Sequence, residues 1–115
     1  MTDVVTCFIA PKTSRIGAPL FVYRADLTVP AITLQGELYS GERVGIRVDK
    51  RKAAMTTERT ISGTDAARIA ADMRAGEWVA TQATAWPSGE LVEWTGGTSG
   101  FGDAEAECQA AVKTN

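Results

Sequence analysis

The chain contains no histidine among its 115 residues, which removes the commonest general base and the commonest metal ligand at neutral pH. Ser-His-Asp and Cys-His mechanisms are excluded. Its two cysteines, Cys7 and Cys108, cannot build a zinc cluster, and the acidic residues lack the Asp-x-Asn-x-Asp-Gly spacing of a calcium loop. No metal or other cofactor is expected. Two cysteines near the two ends could instead close a loop of about 100 residues, worth at most ~4–5 kcal/mol in the chain-entropy model. That bond needs an oxidising compartment; otherwise both residues serve as small buried hydrophobes. Carboxylate pairs are the remaining acid-base candidates. Glu90 and Glu93 fall on opposite sides of a strand, and Glu105 and Glu107, two apart on a helix, diverge. All four are expected to be solvated, and no enzymatic activity is expected.

Other groups suit binding better than reaction. Thr95-Gly96-Gly97-Thr98-Ser99-Gly100-Phe101-Gly102 matches, letter for letter, the Thr-Gly-x-x-x-Gly-x-Gly nucleotide loop of short-chain dehydrogenases. There the glycines let the backbone approach a pyrophosphate at a helix N-terminus. Such a loop opens a long βαβ series, yet only thirteen residues follow it here. A strand-to-helix connector is expected, with a nucleotide-dependent enzyme as the outlying reading. Six of the twelve basic residues (Arg43, Arg47, Lys50, Arg51, Lys52 and Arg59) lie within seventeen positions, while Glu90, Glu93, Asp103, Glu105 and Glu107 crowd the C-terminal quarter. The basic run could contact phosphates, but it has no interleaved aromatic residue on which a base could stack. Nucleic acid is disfavoured and an acidic protein surface preferred. Trp78, Trp86 and Trp94 recur at spacings of eight. Two are expected in the core, and Trp86, before Pro87, is expected to be exposed as an interface residue.

These side chains must be held by a small domain. Hydrophobic residues make up 44% and charged residues 23%, with a net charge of −2, as in an ordinary globular protein. The longest apolar stretches are a handful of residues, far short of the roughly 20 needed to cross a bilayer, so no membrane role is expected. The N-terminus lacks the basic start and long apolar middle of a secretion signal; the protein is expected to be cytosolic or to have lost such a signal.

Asp3 to Ile9 and Pro19 to Ala25 read as strands bounded by breakers. Ile32 to Tyr39 and Glu42 to Asp49 alternate apolar and polar residues around Ser40-Gly41 and are expected to form a hairpin. Met55 to Ile61 is a weaker, threonine-rich strand. Ser62 to Asp65 supplies a hydroxyl cap for a helix whose Ala66, Ile69, Ala70 and Met73 form one stripe. Arg68 and Asp72 are expected to face outward, and Gly76 to end the helix. Glu77 to Ala85 and Glu90 to Thr95 form a second hairpin across Trp86-Pro87-Ser88-Gly89. Asp103 then caps a final helix in which Phe101, Ala104, Cys108 and Ala111 recur at helical spacing. The expectation is a single α+β domain over 1–115, with a mostly antiparallel sheet of about six strands and helices near 64–75 and 102–112.

From Leu34 to Val112 the order of features resembles the invasion-associated locus B family of α-proteobacteria. The resemblance is carried by Gly41-Glu42-Arg43-Val44-Gly45-Ile46-Arg47-Val48-Asp49, by Asp65 to Gly76 with its closing Arg74-Ala75-Gly76, by Ser88-Gly89, and by Ser99-Gly100-Phe101 leading into Ala104 and Cys108. It implies a secreted or periplasmic protein linked to host-cell entry, without established catalytic activity. The chain lacks the central cysteines of that family, and no functional residue carries over.

Two non-enzymatic expectations result. One is a periplasmic or secreted binding protein. The other is a small cytosolic or phage-type inhibitor or accessory protein that blocks a larger protein or nucleoprotein. In both, a protein partner meets Trp86 or the basic residues Arg43, Arg47, Lys50, Arg51 and Lys52; a homodimer is one form such an interface could take.

Overall fold

The computed structural model describes residues 5–113, so the beginning of the strand expected from Asp3 lies outside the described residues. The elements are β1 (Thr6–Ile9), β2 (Pro19–Arg24), β3 (Ala31–Leu34), β4 (Val44–Val48), β5 (Ala54–Thr56), β6 (Thr60–Ile61), α1 (Gly63–Ala75), β7 (Trp78–Thr84), β8 (Leu91–Gly97) and α2 (Phe101–Lys113). The strands form two antiparallel sheets of four, ordered β1-β2-β3-β6 and β5-β4-β7-β8. This is the expected α+β class, with eight strands in place of about six.

Alternation explains which face of each strand is buried. Pro19, Phe21 and Tyr23 point inward from β2, Ile32 and Leu34 from β3, and Val44, Ile46 and Val48 from β4. Phe21, Tyr23, Ile32, Ile46 and Val48 meet α1 and α2 in the main core, where the Phe21 and Phe101 rings cross edge-on with centroids 4.8 Å apart, while Leu34 and Val44 belong to a smaller cluster. The α1 stripe is the expected one: Ala66, Ile69, Ala70 and Met73 are buried. Full burial of Ile69 alone contributes roughly 1.5–3 kcal/mol.

The hairpin expected between Ile32–Tyr39 and Glu42–Asp49 does not form. β3 pairs with β2 and β6, whereas β4 pairs with β5 and β7 in the other sheet. Both segments alternate because each buries one face, but the faces look at each other across a shared interior. The connector turns the corner through Gly36 and Gly41, both at positive φ, and buries Leu38 with Leu34, Val44 and Ala83. The threonine-rich segment also changes sheet, splitting into β5 and β6, so the two sheets adjoin there.

Helix termini depart from the expected chemistry. Ser62 precedes α1 without a side-chain cap bond, and Gly76 ends it in an extended conformation rather than a left-handed one. Glycine is needed at position 76 for space: a Cβ would sit 2.4 Å from Val48 Cγ1 and 2.9 Å from Asp49 Oδ2. The second helix starts at Phe101, which places Asp103 in its first turn. Its buried row is Phe101, Glu105, Cys108 and Val112, not the expected Phe101, Ala104, Cys108 and Ala111.

Candidate functional site

The basic residues do not form one patch. Gly45 lies opposite Gln82 and Val48 opposite Val79, so Arg43 stands at the Trp86 end of the sheet. Lys50 to Lys52 stand at the other, separated by the five residues of β4, about 17 Å of strand. Arg51 is paired with Asp72 at 3.2 Å. Arg68 does not simply face outward: it pairs with Asp72 at 3.5 Å and donates to the carbonyls of Lys52 and Ala53 at 2.6 and 3.3 Å. It thereby pins the basic turn to α1. Arg47 projects from the outer face of β4 over the Trp78 ring, 5.7 Å from its centroid. The positive charge is therefore divided among an ion-paired turn, an arginine stacked on an aromatic ring, and the separate Arg43.

The β4–β5 turn begins at Asp49, whose positive φ is 52°. Its carboxylate accepts the amide hydrogens of Glu77 at 3.1 Å and Trp78 at 3.0 Å. Those two bonds, Trp78 first, hold its pKa below the ordinary carboxylate range.

The tryptophans divide less sharply than expected, one rather than two being buried in the core. Trp94 is 2% exposed and donates its indole N–H to the Thr13 carbonyl at 3.1 Å; Trp78 is half-buried; Trp86 is 53% exposed. The turn that carries Trp86 is tied down on several sides. Its backbone N–H donates to Glu37 O at 3.0 Å, the Tyr39 hydroxyl donates to Pro87 O at 3.0 Å, and Ala85 N donates to Glu90 O at 2.9 Å. The Trp86–Pro87 peptide bond is cis. Leu91, 61% exposed, begins the strand just beyond.

Cys7 and Cys108 form a disulfide with Cα atoms 5.5 Å apart. Beside it lies a cluster that sequence reasoning missed. Glu105, expected to be solvated, is 3% exposed. It accepts the Tyr23 hydroxyl hydrogen at 2.6 Å and is ion-paired with Arg74 of α1. Burial, then the bond to Glu105, pushes the Tyr23 hydroxyl well above its ordinary range, and the bond to Glu105 raises Arg74. Because Cys7 lies opposite Tyr23 and Glu105 is one turn from Cys108, the covalent and polar ties are neighbours. The cluster is saturated by its own members and acts as a clamp. Its only sequence signal is that Glu105 falls on the Phe101–Cys108–Val112 row.

The glycine-rich segment runs out of β8 and into α2, as a strand-to-helix connector. It borders a cleft of about 450 Å³. Phe21, Val79, Trp94 and Phe101 line the cleft, with Ile9 and the loop to Thr13 on one lip and Gly96 and Gly97 on the other. No ladder joins β1 to β8, so the cleft opens between the free edges of the two sheets. Compared with protein-family models, with curated proteins and with solved structures, the chain matches none.

Proposed function

We propose that the protein is a non-enzymatic binding protein of an oxidising compartment, periplasmic or secreted, that engages a protein partner through the Trp86 turn. The observation that carries this reading is a large aromatic side chain half exposed on a backbone that Glu37, Tyr39 and Glu90 hold in place. A rigid aromatic anchor loses little conformational freedom on binding and contributes a large apolar area. Exposed Leu91 and Arg43, at the same end of the sheet, add apolar area and a positive charge for an acidic neighbour. The Cys7–Cys108 bond supports the compartment, since structural disulfides persist where thiols are not kept reduced. Export also fits the resemblance to the invasion-associated locus B family.

The test is capture from a lysate of the source organism by immobilised wild-type protein and by Trp86→Ala. A species retained by the wild type and at least about tenfold depleted with Trp86→Ala is expected, the loss typical of a central aromatic anchor. Equal retention by both proteins overturns the assignment of the turn. Turnover of any compound by pure protein, abolished by one side-chain replacement, overturns the non-enzymatic reading.

A further inference from the structure

We infer that β8 is an acceptor edge for an extended segment of a partner protein, one that alternates apolar and basic side chains and joins the β5-β4-β7-β8 sheet as a ninth strand. This deepens the binding reading above and rests on it. Ala85 N donates to Glu90 O and Thr98 N donates to Glu77 O, which sets the alternation of the β7–β8 ladder. Val92, Trp94 and Gly96 direct their backbone groups to β7, and Leu91, Glu93, Thr95 and Gly97 direct theirs away. Among the described residues, no backbone hydrogen bond ties these outward groups to another element. Seven residues of such an edge form a template for strand addition.

Two features define what the added strand would carry. Side chains alternate across it, so residues opposite Trp94 and Gly96 would point inward, beside the apolar cleft bordered by Gly96, Gly97 and Phe101. Residues opposite Glu93 and Thr95 would lie on the outer face. Glu93 is not paired with a cation among the described residues, so a basic side chain complements that face. Charge disfavours a second copy of this chain as the occupant. An antiparallel β8–β8 pair centred on Trp94 would bring the two Glu93 carboxylates into diagonal contact.

The experiment pans a random nonapeptide phage library against the intact protein and measures the enriched peptides against wild type, Thr95→Pro and Glu93→Lys. Enriched peptides should alternate apolar and basic residues. Thr95→Pro removes an outward N–H without touching the β7 ladder and should weaken them by about tenfold or more. Glu93→Lys, which keeps the backbone donor should the proline disturb folding, should weaken them several-fold. An unenriched library, peptides without the alternation, or affinities indifferent to both substitutions would overturn strand addition. A dimer abolished by Thr95→Pro would overturn it in favour of a second copy. Lysate capture that depends on Trp86 but not on Thr95 would sink the edge proposal and leave the binding reading standing; capture that depends on neither removes both.

Discussion

Two regions use reactive and aromatic side chains in opposite ways. Where α2 crosses β1 and β2, the chain's two cysteines, a tyrosine, a glutamate and an arginine are all consumed in joining one element to another. At the β7–β8 hairpin the turn is fixed mainly by backbone hydrogen bonds, and Trp86 and Leu91 are left exposed. The contrast separates stability from recognition. A residue whose partners lie within the chain is spent on the fold, while a large apolar residue on a well-tied backbone is available to another molecule.

The contrast is sharpest at the disulfide. Cys7 and Cys108 are 101 positions apart, so removing the bond frees nearly the whole unfolded chain. In the chain-entropy model that costs about 4–5 kcal/mol. A Cys7→Ala, Cys108→Ala double variant should therefore lose roughly 3–5 kcal/mol in denaturant unfolding, a large share of a typical domain's stability. A loss below ~1 kcal/mol would mean that α2 is held by packing alone, and the first half of the comparison would fail.

The buried clamp is expected to matter next most. Glu105→Ala leaves the Tyr23 hydroxyl without its acceptor and Arg74 without its counter-ion. Breaking a fully buried ion pair costs about 3–5 kcal/mol, but the Arg74 side chain is 47% exposed and water recovers part of that, so about 2–3 kcal/mol is expected. The denaturant midpoint measures it. Tyr23 supplies a pH signature. Its folded-state pKa lies far above the ordinary value of 10.0, so its contribution is fully present below about pH 10 and declines as the unfolded chain ionises above it. Stability flat between pH 9 and 11 would contradict the buried hydroxyl.

How much of this could be read beforehand depended on periodicity. The α1 stripe and the β7–β8 hairpin were legible because spacings of 3.6 and 2 mark one buried face, with Pro87 and Gly89 marking the reversal. The hairpin expected between Ile32–Tyr39 and Glu42–Asp49 does not form: alternation shows that a strand has a buried face, not which sheet it joins. Glu105 escaped because a carboxylate on an apolar row breaks the pattern that finds cores, and its partners Tyr23 and Arg74 lie 82 and 31 positions away. The basic residues looked like one patch only in one dimension. A five-residue strand carries Arg43 away from Lys50, and Asp72, invisible as a partner until α1 packs on β4, pairs with Arg51.

The smallest expected effect is the one that decides the second half of the comparison. Trp86→Ala and Leu91→Ser remove two of the most exposed large apolar side chains among the described residues. The hydrogen bonds that shape the turn are made by backbone atoms and by the Tyr39 and Ser88 side chains, so neither substitution deletes one. Each should change unfolding free energy by no more than about 0.5 kcal/mol, the usual range for surface positions away from caps, cores and buried networks. A loss of 2 kcal/mol or more would show that the Trp86 ring packs on the turn strongly enough to count as core. The hairpin would then join the α2 region as structure, and the exposed indole would no longer mark a contact. If stability holds while capture by Trp86→Ala collapses, the ring contributes little to folding and much to recognition, which an internal structural role does not predict.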